Sequence, residues 1–254
     1  MGRAIYVSSV NGDDANSGYA PEKAFRSLRK VNQMEIQPGD QILLERGSVF
    51  VGEYLHLYRG GTKEAPVVVD AYGEGALPRI ETDGNGIWYQ NYGGHLDNVV
   101  HIWKGYLSSA VLLYDAEYIS IRNLEITNNP CVQNERLNQA DRMNRTGVSV
   151  IAKNHGTLHE IELDHLYIHD KHLNNGGIYM SVSRPDDEEK TGIARYDGIH
   201  IHHCKVENCR RWGIAAGYTY QHDKFTTLEL PDEVVKAYGS TNVVIEHNFV
   251  KDIG

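Results

Sequence analysis

The chain of 254 residues has little of what usually settles a function class. Its three cysteines, at positions 131, 204 and 209, are odd in number and lack metal-ligand spacing, so no disulfide framework and no zinc site follow from them. Cys204 falls in one column with Leu124 and Leu166 and reads as a small buried hydrophobe. No Pro/Ser-rich linker interrupts the seven prolines, so residues 1–254 read as one domain. No apolar run approaches the length of a membrane span. MGRAIYV leads straight into a strand without a signal peptide, as expected of a chain cut at a mature start. Basic residues are outnumbered: 25 Lys and Arg face 34 Asp and Glu, a formal net charge of −9. With no basic stripe interleaved with aromatics, nucleic acid is disfavoured as a partner, and a polyanionic substrate needs a local basic cleft. Long amphipathic helices are missing too.

What is present is a phrase said four times. YISIRNLEITN (118–128), EIELDHLYIHD (160–170), GIHIHHCKVEN (198–208) and NVVIEHNFVKD (242–252) align without gaps. Each places apolar residues at alternate positions, such as Ile161 and Leu163, then a polar pair ending in Asn or His. A second short run follows. Period-two alternation marks strands with one buried face, and recurrence at about forty residues marks a stacked array. Between the repeats, GVSVIAKN, GIYMSVSR and GIAAGYTY (from 147, 177 and 213) open on Gly and alternate again, so each coil carries three short strands. A βαβ sheet would need a helical crossover of ten or more residues, and none is visible. The last repeat stops after its second strand, so further coils of a longer chain, or a partner, are expected to cover that edge.

On these repeats the chain resembles the right-handed parallel β-helix proteins of the pectate lyase-like superfamily. The more specific part is IYVSSVNGDDANSGYAPEKAFRSLRKVNQMEIQPGDQILLERGSVFVG (5–52), which resembles the opening strand, Asn-Gly-Asp loop and capping helix of many secreted polysaccharide lyases and β-helix glycoside hydrolases. Pro21 suits a first helical turn, and Ala24, Leu28 and Val31 lie on one face. The expected fold is therefore all-β, a single-stranded right-handed β-helix. Residues 1–52 supply its strand, cap and first coil, and residues 53–254 the further coils. The resemblance implies a secreted or periplasmic protein that holds a polysaccharide or oligosaccharide in a groove.

Loop lengths place that groove. The turn inside each repeat (Arg122-Asn123, Asp164-His165, His202-His203, Glu246-His247) never changes length and reads as scaffold. The loops on either side of the Gly-initiated strands vary widely, and variable loops on a rigid frame are where binding resides. The outward positions Ser149, Ile151, Lys153, Tyr179, Ser181, Ser183, Ala215, Gly217 and Thr219 are expected to floor the groove, with Tyr218 pointing inward. Trp212, Tyr220, Arg184, Arg210, Arg211, His172 and His222 are expected at its rims, where aromatic faces stack on sugars and Arg clamps carboxylates.

The same reasoning sets two columns aside. Asp164 and Glu246, two strands apart, would stand about 9–10 Å from each other, near the spacing of an inverting acid pair. Their column with Arg122 and His202 nonetheless lies at the invariant turn and reads as a solvated charge ladder. The adjoining Asn123, His165, His203 and His247 read as a turn ladder bonding backbone groups. Strand spacing alone does not place these nitrogens around one ion, so no metal site is expected there. For hydrolysis, Asp170 and Asp223 are the expected acids, with no cofactor. A lyase would use Lys171, His172, Arg210 or Arg211, with Ca²⁺ held by Asp186, Asp187 and Asp223. A non-catalytic glycan-binding array is the third alternative. Sugar, linkage and stereochemical outcome stay open.

Overall fold

The computed structural model describes residues 2–92, 104–129, 144–170, 173, 176–220 and 231–254. After β1 (Ala4–Val7) the chain winds through coils of three strands. The first coil is β2 (Gln41–Glu45), β3 (Val49–Val51) and β4 (Leu55–Leu57). The second is β5 (Val67–Tyr72), β6 (Arg79–Glu81) and β8 (Lys104–Tyr114), with β7 (Ile87–Asn91) inserted before β8. Then come β9 (Ile119–Arg122), β10 (Glu125–Thr127) and β11 (Asn144–Ala152), followed by β12 (Thr157–Asp164), β13 (Tyr167–His169) and β14 (Gly176–Val182). The fifth coil is β15 (Arg195–His202), β16 (Lys205–Glu207) and β17 (Ile214–Thr219), and the last described strands are β18 (Thr241–Glu246) and β19 (Phe249–Lys251).

Corresponding strands stack into three parallel sheets, in the orders β1-β2-β5-β9-β12-β15-β18, β3-β6-β10-β13-β16-β19 and β4-β8-β11-β14-β17. The expected parallel β-helix is what forms, and the aligned repeats are in register: Ile119, Ile161, Ile199 and Val243 are successive partners. Inward residues from all three sheets merge into one apolar cluster running from Ile5 to Tyr220. Cys204 and Cys209 are part of it. Burial raises their thiol pKa values to about 11 and about 12, so both stay protonated and inert.

The turn from first to second sheet is made by a left-handed residue in each of the last four coils: Asn123, His165, His203 and His247, with φ of 58°, 49°, 52° and 52°. Their side chains turn to carboxylates more than to the backbone bonds expected of them. Asn123 Nδ2 donates to Asp70 Oδ1 at 2.8 Å, and His165 Nδ1 lies 2.5 Å from Asp164 Oδ1. The neighbouring charge column is also less solvated than expected, since the side chains of Asp164 and His202 are only 17% and 13% exposed.

The N-terminal cap differs in detail. Instead of one helix it is a 3₁₀ turn at Pro21–Lys23 and a short helix α1 (Leu28–Asn32). Asp14 divides them by accepting from the backbone N–H groups of Arg26 and Ser27, while Phe25 bridges to Val7. Ala24, Leu28 and Val31 still all face the core. Glu53 Oε2 accepts the Leu28 N–H at 2.6 Å, which places a carboxylate at the start of α1. Two further short helices, α2 (Glu188–Thr191) and α3 (Asp232–Tyr238), bury no residue.

The glycines that open the third-sheet strands have a packing reason. A Cβ on Gly147, Gly177 or Gly213 would stand 2.5, 2.4 and 2.4 Å from Ile168, Val206 and Val250 respectively, each on the second sheet of the following coil. This pitch admits no side chain at that corner. Gly177→Ala is expected to destabilise the fold by about 1–3 kcal/mol through overpacking. Urea unfolding checks it, and Val206→Ala in the same chain should recover part of the loss, as coupled neighbours do.

Candidate functional site

The face expected to floor an open groove is covered. Ser149, Ile151, Tyr179, Ser181 and Ser183 point outward as the alternation requires, yet each is at most 2% exposed. The cover includes β7, which pairs antiparallel with β8, so that Ile87 faces Ser108 and Asn91 faces Lys104. Trp88 and Tyr92 pack with Leu107, Leu112, Ile151 and Tyr179 into a second apolar cluster outside the sheet. Several polar atoms in this layer are satisfied locally. Ser109 Oγ accepts from Trp88 Nε1 at 2.7 Å and lies 2.8 Å from both Thr146 Oγ1 and Ser149 Oγ. Tyr179 Oη donates to Gln90 Oε1 at 3.2 Å. The Ser181 hydroxyl has no hydrogen-bond partner among the described residues. Tyr179 and Ser181 are thus supports beneath a site rather than an open floor. Lys153, Ala215 and Thr219 keep partial exposure. The Tyr218 side chain lies outside what is described.

The rim is assembled as pairs. Trp212 is half-buried, its ring parallel to that of Tyr179 with centroids 6.4 Å apart, and the Arg211 guanidinium sits 4.0 Å from its ring centre. Arg211 holds φ 85°, and this left-handed backbone turns its side chain back over Trp212. Arg210 is exposed beside it, with its backbone N–H donating to Leu173 O. On the next corner the Arg184 guanidinium lies 5.8 Å from the ring centre of Tyr220, and Tyr220, itself buried, donates to Glu188 Oε2 at 2.7 Å. Arg184 is exposed, and its backbone N–H donates to Tyr92 O, tying this rim to the end of β7. Aromatic and guanidinium groups therefore flank the end of the third sheet at β14 and β17.

Of the two expected acids, Asp170 is 9% exposed at the end of β13, and the Asn129 amide, oriented to donate, is 2.7 Å from its Oδ2. Asp83, left-handed at φ 54°, lies close enough for Asp170 to act on it electrostatically. Burial first, then Glu81 and Asp170, raise the Asp83 pKa above the usual carboxylate range. One acid held towards its protonated form beside another carboxylate is the asymmetry that acid catalysis needs. Sequence reasoning missed Asp83. The signal was the left-handed Asp-Gly turn of TDGNG, but only the coil stacking brings residue 83 to residue 170. Asp223, His172, His222 and Lys171 lie outside the described residues.

The lyase set is not brought together among the described residues. Asp186 is ion-paired with Lys153 at 2.6 Å and accepts from Asn154 Nδ2 at 2.8 Å; the Lys153 bond is the main cause of its lowered pKa. Asp187 caps α2 by accepting the Lys190 N–H. Two of the three expected calcium ligands, Asp186 and Asp187, are thus occupied in anchoring a loop, and the third, Asp223, lies outside the described residues.

Three parallel sheets wound coil on coil define the parallel β-helix class. No family model matches the chain. Along its whole length it is 37% identical, over 296 aligned positions, to lacto-N-biosidase of Bifidobacterium longum subsp. longum, of which it spans 18%. The crystal structure of a GH136 lacto-N-biosidase from Eubacterium ramulus, as its selenomethionine derivative, superposes with a TM-score of 0.92 at 52% identity, covering 100% of this chain and 42% of that one. The native form of that enzyme gives 0.90 at 52%, covering 98% and 41%. The chain therefore spans less than half the length of these relatives. No helix among the described residues is long and apolar enough to cross a membrane.

Beneath β7, burial shapes one titration. His56 on β4 places Nε2 3.0 Å from Ser109 O, and burial lowers its pKa to about 4. It folds as the neutral imidazole, donating from Nε2. On acidification from pH 6.5 to about 4 the unfolded chain takes up a proton that the folded chain refuses. Stability should fall across that window by about 3 kcal/mol and level off below it. His56→Gln keeps a donor without titrating, so its stability-against-pH curve should lack this component.

Proposed function

We propose that this chain is the front part of a β-helix glycoside hydrolase of the pectate lyase-like superfamily, and that the whole protein has lacto-N-biosidase activity, releasing lacto-N-biose from an oligosaccharide. The observation that carries this reading is the 52% identity at a TM-score of 0.92 along the entire chain to an enzyme of that activity. The rim supports it as well. A half-buried Trp212 and Arg184, Arg210 and Arg211 beside a roofed sheet suit a short neutral sugar at least as well as a long polyanion. Hydrolysis is preferred over β-elimination because Asp186 and Asp187 are tied into their own loop. Further coils of the longer protein would seat on β18 and β19, where Val243, Ile245, Phe249 and Val250 are 41–52% exposed. Export from the cell belongs to the same reading.

Within it, Asp170 serves as one acid of the site, with Asp83 as its neighbour and Asp223 as the other expected carboxylate. His172 and His222 would join the rim from the variable loops.

The test is digestion of a glycan panel, including lacto-N-biose-capped oligosaccharides, by the full-length protein. Reducing ends and the ultraviolet absorbance of unsaturated uronates are followed together. Reducing ends and free disaccharide without absorbance are expected; absorbance rising in step would establish a lyase instead. Asp170→Asn should lower kcat by about 10²–10⁴-fold while oligosaccharide binding persists. Turnover within a few-fold of wild type would return Asp170 to a purely structural role in the wall.

A further inference from the structure

The corner between the first and second sheets, which does not border the third sheet, carries a side-chain cluster that glycan chemistry leaves unused. Asp164 and His202 are register partners on β12 and β15, and His165 and His203 follow them at left-handed turns. Asp164 Oδ1 lies 2.5 Å from His165 Nδ1, 3.0 Å from His202 Nδ1 and 3.9 Å from His203 Nδ1. The Nδ1 atoms of His202 and His203 are 2.8 Å apart. Three imidazole nitrogens therefore converge on one carboxylate oxygen. In a tetrahedron of 2.0–2.1 Å metal–ligand bonds, ligand atoms are about 3.3–3.4 Å apart; these four separations lie within about an ångström of that value, and the ligand atoms of Asp164, His165 and His203 all lie within 4.8 Å of one another.

Two further features distinguish this from a chance gathering of surface histidines. First, His202 is backed on its other nitrogen: Nε2 lies 3.2 Å from Glu162 Oε1, and Glu162 Oε2 in turn accepts from Ser120 Oγ at 2.5 Å. An imidazole that ligates through one nitrogen and donates to a carboxylate through the other has its tautomer and ring orientation fixed for metal binding. Second, a nitrogen lone pair faces this space. Nδ1 of His202 and Nδ1 of His203 face each other, so at least one must be unprotonated and present a lone pair to this space. The His203 ring also stacks between His165, at 5.0 Å and 6°, and His247, at 5.2 Å and 10°.

We infer that Asp164, His165, His202 and His203 form a binding site for a borderline divalent transition metal, Zn²⁺ or an ion of like preference, which staples the fourth coil to the fifth. The donor set of three imidazoles and one carboxylate suits such an ion better than Ca²⁺ or Mg²⁺, which take oxygen ligands. The ion is no cofactor of glycosidic hydrolysis. His247, the third ring of the stack, is not a ligand: its Nδ1 lies 3.6 Å from Glu246 Oε2, and it stacks on His203 one coil further on. A neighbouring trio, Glu162, His200 and His202, also gathers ligand atoms. There, however, His200 Nε2 is engaged by Glu246 Oε1 at 3.0 Å, and only two nitrogens are offered.

The test uses the full-length protein stripped with a chelator, then titrated with Zn²⁺ against a chromophoric competitor and, separately, with Co²⁺. The double variant His165→Asn/His203→Asn should bind one Zn²⁺ fewer than wild type, or bind it at least tenfold more weakly. Asn tolerates the left-handed turn and already occupies this ladder position at Asn123, so the fold is preserved. Co²⁺ should give the intense visible bands of a tetrahedral site in wild type only, and Zn²⁺ should raise the melting temperature of wild type only. His247→Asn, which alters the stack but not the ligands, should leave affinity unchanged. Equal stoichiometry and affinity in wild type and double variant would overturn the proposal. Loss of the ion on His200→Gln with retention in the double variant would also overturn it, by assigning the metal to the neighbouring trio.

Discussion

The structure depends on one backbone constraint: the chain must turn from the first sheet to the second within a single residue, at the same place in coil after coil. A left-handed residue does this at Asn123, His165, His203 and His247. Because the turn does not lengthen in these four coils, the strands on either side keep their phase, and Ile, Leu and Val at alternate positions fall on the inside. The glycines at the opposite corner, pressed against Ile168, Val206 and Val250, fix how closely one coil lies on the next. Core, register and pitch all follow from these two corners. Loop length is left to vary on either side of the third-sheet strands, as between β10 and β11 and between β17 and β18.

That division explains how much was legible in the sequence. The last four coils could be aligned by eye because their shared turn adds no residues. The first two were not recognised as repeats, since β5 and β6 are separated by six residues, Gly73 to Pro78, and the phase is lost across them. Alternation also told correctly that Ser149, Tyr179 and Ser181 point outward. It could not tell what lies over them. IWYQN in β7 reads as any short strand, and its antiparallel pairing with β8 is a tertiary choice made by Trp88 and Tyr92 finding apolar partners. The acids divide in the same way. Asp170 ends a repeat and could be singled out, whereas Asp83 belongs to an insertion whose position in space depends on the whole stack.

The electrostatics are distributed just as unevenly. On the first two sheets, carboxylates and histidines pair across coils at several rungs, as in Glu117 with His159 and Glu125 with His169. Their charges are met along the stacking axis, so they tie neighbouring coils without addressing anything outside. Around the third sheet, guanidinium groups lie against aromatic rings instead, as Arg211 does on Trp212 and Arg184 on Tyr220. A bound molecule that displaced either contact would meet a flat apolar face and a cation at once.

A stack of near-identical coils has a translational ambiguity, because any rung could in principle settle where its neighbour belongs at little cost in local contacts. The antiparallel β7 breaks that symmetry. It attaches to a single coil, and its roof closes only if β8, β11 and β14 arrive beneath it in that order. The same strand that closes off the expected groove floor thus acts as an origin mark, from which the position of every later coil along the axis is counted.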